Sequence, residues 1–285
     1  ETDTLFYIKD RYLKKYDFAT ASQITLGSID KSKRPYSLEY LKQEGYFLIT
    51  EKARRTREKG SWDLYLINSS GNGTGECQKV QSGSGSSAVF MGLNKFAVLN
   101  ANGQLEIGSL KNSKRTVAQI PDSVGQVTDI FAAGSGRLLL KTEDKVYLYD
   151  REKRDVIASV QAYGVKFAVW SEDKTRVALI GRHHIVIATN ELKLQSTLHE
   201  SVRIKSGGFD SQGIFVFTTL NHMKYCLPNS DTGTIKTLEN PIYIVKILQN
   251  AVIYLDRECN ARKMFIDTTE CRFKLALLQG KTAEI

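Results

Sequence analysis

The chain holds only four histidines and four cysteines in 285 residues. It has no uninterrupted apolar run of the eighteen or so residues that span a membrane as a helix. The longest apolar stretch, PIYIVKILQNAVIYL (241–255), is broken by Lys246, Gln249 and Asn250. Cys77, Cys226, Cys259 and Cys271 show no paired spacing and no Cys-x-x-Cys, so free, buried thiols of an intracellular chain are expected rather than disulfides. The sequons at Asn68-Ser69-Ser70 and Asn72-Gly73-Thr74 would then carry no glycan. His183 and His184 adjoin a strand, which sends neighbouring side chains to opposite faces, so they do not chelate one metal together. A Gly-x-Ser-x-Gly elbow is missing, and no Ser, His and acid are marked as a triad. GNGTGE (71–76) and GSGS (83–86) lack the helix N-terminus that must follow a phosphate loop, since Cys77 to Gln81 reads as another strand, and both read as flexible loops. The opening residues Glu-Thr-Asp-Thr do not form a signal peptide. Neither an enzyme, a cofactor nor a metal is expected.

What the chain does have is a repeat. Residues 165–200 contain VKFAVW, RVALI, IVIAT and the weaker LQSTLHE, each short, rich in β-branched or aromatic residues, and bounded by polar turns such as SEDKT. Four such strands in about forty residues make one blade of a β-propeller. Equivalent first strands recur at 127, 165, 204 and 242. The reading predicts twenty-six strands in seven units, with three strands in the first and last and four in each of the others. A blade cannot hide both faces alone, so blades must stack. Ring closure normally joins strands from the two chain ends, and three strands at each end leave open whether the ring closes. The fold class is therefore all-β, a degenerate seven-bladed WD-like propeller over 1–267. KVYLYD places Tyr149 where a WD repeat carries Trp before Asp150, whereas Trp62-Asp63 begins a strand and carries no weight.

After Ile266 the period changes. Asp267 with Glu270 three later has capping-box spacing, and helix formers follow to Leu278. Phe273, Ala276, Leu277 and Gly280 fall on one helical face, Gly280 should end the helix, and Thr282 can start another. Residues 268–285 are thus expected to begin an α-helical solenoid; the alternative is that CRFKLALL is a closing strand.

The formal net charge is +9, part of it in EKARRTREK (51–59). Lys52, Arg54, Arg55, Arg57 and Lys59 form either a solvated hairpin insertion or a contact for anionic lipid or an acidic partner. Nucleic acid is not expected, since Trp62 and Tyr65 nearby read as core rather than as exposed stacking platforms.

Several long phrases carry a family resemblance: VKFAVWSEDKTRVALIGRHHIVI, LHESVRIKSGGFDSQGIFVFTTLNHMKY, GTIKTLENPIYIV, YLDRECNAR and FIDTTECRFKLALL, with LFYIKDRYLKKYDF and NKFAVLN upstream. The chain resembles the second β-propeller of the coatomer alpha-subunit family of the COPI vesicle coat; 51–87 diverges, and NHMKY and LDREC favour alpha over beta-prime. The resemblance implies a non-catalytic scaffold on the cytosolic face of Golgi membranes, preceded by another propeller and followed by a solenoid. It implies beta-prime and epsilon subunits as partners, epsilon through regions outside this chain, and dilysine cargo on the upstream propeller. The alternative is a propeller that itself reads cargo tails, which needs grouped acids; Asp144, Glu172, Asp173 and Asp210 are not grouped in the sequence and suit ordinary turns. The basic segment 52–59 as a membrane or RNA platform is the third reading.

Overall fold

A computed structural model describes residues 4–30, 34–52, 60–68, 76–92, 94–134 and 136–280. Two compact units divide it, 1–158 and 159–285. In the first unit β1 (Thr4–Lys9), β2 (Tyr12–Asp17) and β3 (Ser22–Ser28) form a three-stranded sheet. Three four-stranded sheets follow: β4 (Ser37–Leu41), β5 (Tyr46–Glu51), β6 (Ser61–Asn68) and β7 (Glu76–Ser84); β8 (Ser87–Phe90), β9 (Lys95–Leu99), β10 (Leu105–Ser109) and β11 (Arg115–Ala118); β12 (Asp129–Ala132), β13 (Arg137–Lys141), β14 (Lys145–Asp150) and β15 (Asp155–Gln161), inside which the unit boundary falls. The second unit holds β16 (Phe167–Trp170), β17 (Arg176–Ile180), β18 (His184–Thr189) and β19 (Leu194–His199), then β20 (Ser206–Phe209), β21 (Phe215–Thr218), β22 (His222–Cys226) and β23 (Thr232–Thr237). It ends with the three strands β24 (Tyr243–Leu248), β25 (Ala251–Leu255) and β26 (Ala261–Phe265), and the helix α1 (Thr269–Leu278). Every sheet is an antiparallel meander, and the seven are the blades of a β-propeller fold. All twenty-six expected strands are present among the described residues.

The strand chemistry follows from what covers each face. Second and third strands are buried on both sides and read as continuous apolar runs: RVALI in β17 and FVFT in β21 are almost wholly buried. Fourth strands keep one face in water and alternate, as in DVIASVQ of β15. Within the first unit, Leu48, Trp62 and Leu64 pack on Phe90 and Phe96 of the next sheet, and Val89, Ala97 and Ile107 pack on Leu138, Leu140 and Tyr149 of the one after. Within the second, Ala178, Ile180 and Ile187 meet Phe215 and Phe217. Trp62 and Tyr65 are core residues. Tyr149 is fully buried and its hydroxyl donates to the Gln119 carbonyl at 3.1 Å, while Asp150 accepts the N–H groups of Glu152 and Lys153 and so closes the next turn.

One backbone contact recurs in five blades. The residue just before the first strand donates its N–H to a carbonyl at or next to the end of the second strand: Tyr36 to Thr50 (2.7 Å), Ser86 to Leu99 (2.8 Å), Thr128 to Lys141 (2.8 Å), Lys166 to Ile180 (2.7 Å) and Lys205 to Thr218 (2.7 Å). It is made by the backbone in all five, and the Ser86 and Thr128 hydroxyls add a second bond to the same carbonyl. A side-chain link joins two blades of the first unit, where Glu39 in β4 accepts the Phe90 N–H of β8 at 2.9 Å.

Residues 269–278 are helical, not a closing strand, and Gly280, at φ +68°, donates to the Leu277 carbonyl just past the helix end, as its place in the sequence suggests. Two details differ from expectation. Asp267 accepts the Thr269 N–H at 2.9 Å, but Glu270 does not complete a capping box. It turns instead to the Tyr225 hydroxyl (2.9 Å) and Lys274 (3.0 Å). The buried face carries Cys271 and Leu275 with Ala276, packed on Val252 and Ile266 of the last sheet, whereas Phe273 and Leu277 are about half exposed. The apolar residues run around much of the helix, so their spacing alone picked the wrong stripe. Thr282 lies outside the described residues.

Candidate docking surface

Of the five cations singled out at 52–59, Arg54, Arg55, Arg57 and Lys59 lie outside the described residues. Lys52 is bound internally. Its ammonium pairs with the buried Asp129 carboxylate and stands 4.0 Å from the centre of the Tyr36 ring. Burial alone would push this ammonium down, but Asp129 outweighs burial and holds it above its ordinary value.

The structure does group three of the turn acids. Glu172, Asp173 and Asp210 line one cleft of about 270 Å³ with Arg176 and Gln212. Two of its three acids are engaged in turn hydrogen bonds. Asp173 accepts the hydroxyls of Ser171 and Thr175 and the Thr175 N–H, which bring its carboxyl down to about 2. Asp210 accepts the N–H groups of Gln212 and Ile214. The Arg176 guanidinium lies over the Phe209 ring and against Gly213, where any Cβ would collide with it. Asp144, in the first unit, accepts the Thr142 hydroxyl. This end offers no free carboxylate pair for a dilysine tail.

The opposite end of the second unit, where first strands begin and second strands turn into third, is basic. Three hydrogen bonds build it. The His184 ring bonds the Tyr163 carbonyl, the Glu200 N–H donates to the His183 carbonyl at 2.7 Å, and the Ile204 N–H donates to the Arg182 carbonyl at 2.9 Å. The connector 200–204 is thereby zipped onto the β17–β18 turn, which sets Arg203 beside Arg182. The recurring contact then places Lys166 and Lys205 at the mouths of β16 and β20, which lie side by side. Arg257 in the β25–β26 turn extends the row. Burial pushes the Lys166 ammonium down, and Arg203, Arg182 and Lys205 add to it; Lys205 is lowered by burial and by Arg203 and Arg257. None of these five cations has an ion-pair partner among the described residues. Of the acids nearby, Glu200 pairs with Lys224 at 2.9 Å and Asp256 with Arg262 at 2.8 Å, while Glu239 and Glu258 line a cleft beside Arg257. Phe167, Tyr163, Tyr243 and Val245 are exposed on or beside β16 and β24. Sequence reasoning missed this surface because its cations come from four separate segments.

No group of three His, Cys, Asp or Glu able to hold a metal occurs among the described residues, and no helix is long and apolar enough to cross a membrane. All four cysteines are free thiols. Within each unit, loops join the strands of neighbouring antiparallel sheets, the layout of propeller blades. Comparison with known proteins narrows the class. The family of the COPA/B second beta-propeller matches residues 6–256, and the chain belongs to that family. It is 40% identical over 287 residues to coatomer subunit alpha-1 of Oryza sativa subsp. japonica, 41% over 289 residues to coatomer subunit alpha-2 of Arabidopsis thaliana, and 32% over 288 residues to coatomer subunit alpha of Saccharomyces cerevisiae. These matches take in 98–99% of this chain and 23% of each relative, so the chain spans about a quarter of their length. A crystal structure of the mitotic checkpoint complex contains a chain with the same fold, at TM-score 0.65 and 10% identity, over 92% of this chain and 83% of that one.

Proposed function

We propose that the chain is a non-catalytic scaffold module of a vesicle coat, serving retrograde Golgi-to-ER and intra-Golgi transport from the cytosolic face of Golgi membranes. The observation that carries this reading is the match to a coat-subunit propeller family across residues 6–256. The fold suits the role, because stacked blades hold loop surfaces at fixed angles to several partners. Its partners are other coat subunits: beta-prime, and epsilon through regions outside this chain. It contacts the membrane through the assembled coat, and it uses neither nucleic acid nor a cofactor. Residues 1–267 form the propeller and 268–285 begin an α-solenoid, whose next turn would cover Phe273 and Leu277.

Cargo reading by this propeller is disfavoured by geometry, since Asp173 and Asp210, the two acids that flank Arg176 in the cleft, are already engaged by turn hydrogen bonds. Calorimetric titration with a peptide ending in a dilysine signal tests the assignment, beside a longer chain that includes the upstream propeller. Heat from the longer chain and none from this one is expected. Saturable binding by this chain alone would refute the assignment of cargo recognition to the upstream domain.

A further inference from the structure

The basic end of the second unit gathers cations from four segments, and its chemistry points to a ligand. Lys166 and Lys205 are half-buried at the mouths of adjacent first strands, while Arg182 and Arg203 stand exposed above them, held together by the Ile204-to-Arg182 backbone bond. Four like charges lie close together without a carboxylate among them, an arrangement that raises the free energy of the empty surface and is relieved by an incoming anion. The two lysines are recessed. A flat bilayer touches loop tips and would reach the arginines first, whereas a chain segment laid between the blades reaches all four. Tyr163 and Phe167 are exposed just before and at the start of β16, and Tyr243 and Val245 are exposed on β24. A peptide that mixes acidic and apolar residues uses both kinds of group; a membrane interface also takes aromatic side chains, so the recess of the two lysines is what selects the peptide.

We propose that the Lys166–Arg182–Arg203–Lys205 surface binds an extended acidic peptide segment of a partner protein, one that carries aromatic or aliphatic residues between its carboxylates. The inference goes beyond the scaffold reading: it assigns a ligand-binding activity, of opposite charge preference to a dilysine reader, and stands whether or not the coat contacts are as proposed.

The test uses the 285-residue chain and three probes. These are a fluorescent peptide of about twelve residues alternating Asp or Glu with Phe or Leu, which reaches about 40 Å when extended; the same peptide with Lys in place of the acids; and vesicles rich in phosphatidylserine. Anisotropy should show saturable binding of the acidic peptide only, weakening as salt is added. Arg182→Glu/Arg203→Glu should raise its Kd by at least about tenfold, as loss of close charge pairs at an interface does. Both positions are exposed, so folding is not at stake. Lys174→Glu/Lys193→Glu, an equal charge change at the other end, should leave Kd within about twofold, as expected for charges more than a screening length away. Equal loss in both double variants would reduce the effect to net charge and overturn the site. Vesicle binding sensitive to Arg182 and Arg203 without peptide binding would overturn the peptide in favour of a membrane. Absence of binding to any probe would overturn the proposal outright.

Discussion

Glu39 shows what a single desolvated carboxyl does to this fold. It is half-buried in β4 and accepts one N–H, from Phe90, yet burial raises its carboxyl to about 7 from an ordinary 4.5. The folded state therefore holds a proton that the unfolded chain releases above about pH 4.5. Stability from this group is complete below that pH and is lost as pH rises through about 7. Glu39→Gln should flatten the difference in unfolding free energy between pH 5 and pH 8, removing up to about 3 kcal/mol of it. An unchanged pH dependence in urea titrations would show that Glu39 is solvated. Asp173 and Asp256 work in the opposite sense. Their carboxyls are drawn down to about 2, Asp173 chiefly by Ser171, and Asp256 by Asn260 and Arg262 against the burial that opposes them. What they contribute is present above about pH 4 and disappears as the pH falls towards 2. Lys52 is a second residue with a sharp expectation. Lys52→Met leaves the buried Asp129 carboxylate unpaired and should cost about 3 kcal/mol, most of it recovered in Lys52→Met/Asp129→Asn. Full stability in the single variant would mean that the pair is open to water.

At the scale of elements, α1 is the informative case. Leu275→Ala should destabilise the chain by about 2–4 kcal/mol, because it empties the contact with Val252 and Ile266. Phe273→Ala and Leu277→Ala should each cost less than about 0.5 kcal/mol, as exposed positions do. In a chain extended past Ile285 the latter two should become costly if a solenoid covers them; if they stay neutral, the division at 268 is wrong. The existence and ends of the helix were legible in Asp267 and Gly280, since capping residues act locally. Its buried stripe was not, because apolar side chains surround much of it and the sheet decides which face is covered. The strands were legible for a related reason: two-sided burial writes continuous apolar runs into second and third strands, and turns write Asp, Ser and Gly between them. The basic surface was illegible, since Lys166, Arg182, Arg203, Lys205 and Arg257 meet only after four loops fold to one end. The grouping of Glu172, Asp173 and Asp210 was hidden in the same way. The occupation of Asp173 and Asp210 by turn hydrogen bonds was the one part of that cleft that local sequence foretold.

Across either unit, a sheet buries its faces against its neighbours in the chain, so opening a blade exposes the next. The thiols report that opening. Cys77 in the first unit and Cys226 in the second are half-buried and buried, and burial raises both to about 11. Alkylation at pH 8 followed by mass mapping should find Cys226 and Cys271 modified only as fast as the second unit unfolds. Modification within the reagent's mixing time would show that this unit opens locally without unfolding. The contact that starts five of the first strands is made in every case by a backbone amide, and the residue supplying it is Tyr36, Ser86, Thr128, Lys166 or Lys205. A position whose structural duty is discharged by its amide leaves its side chain to mutation. Descendants of one such chain can exchange aromatic, hydroxyl and cationic groups there, blade by blade, and acquire different companions without relearning how to fold.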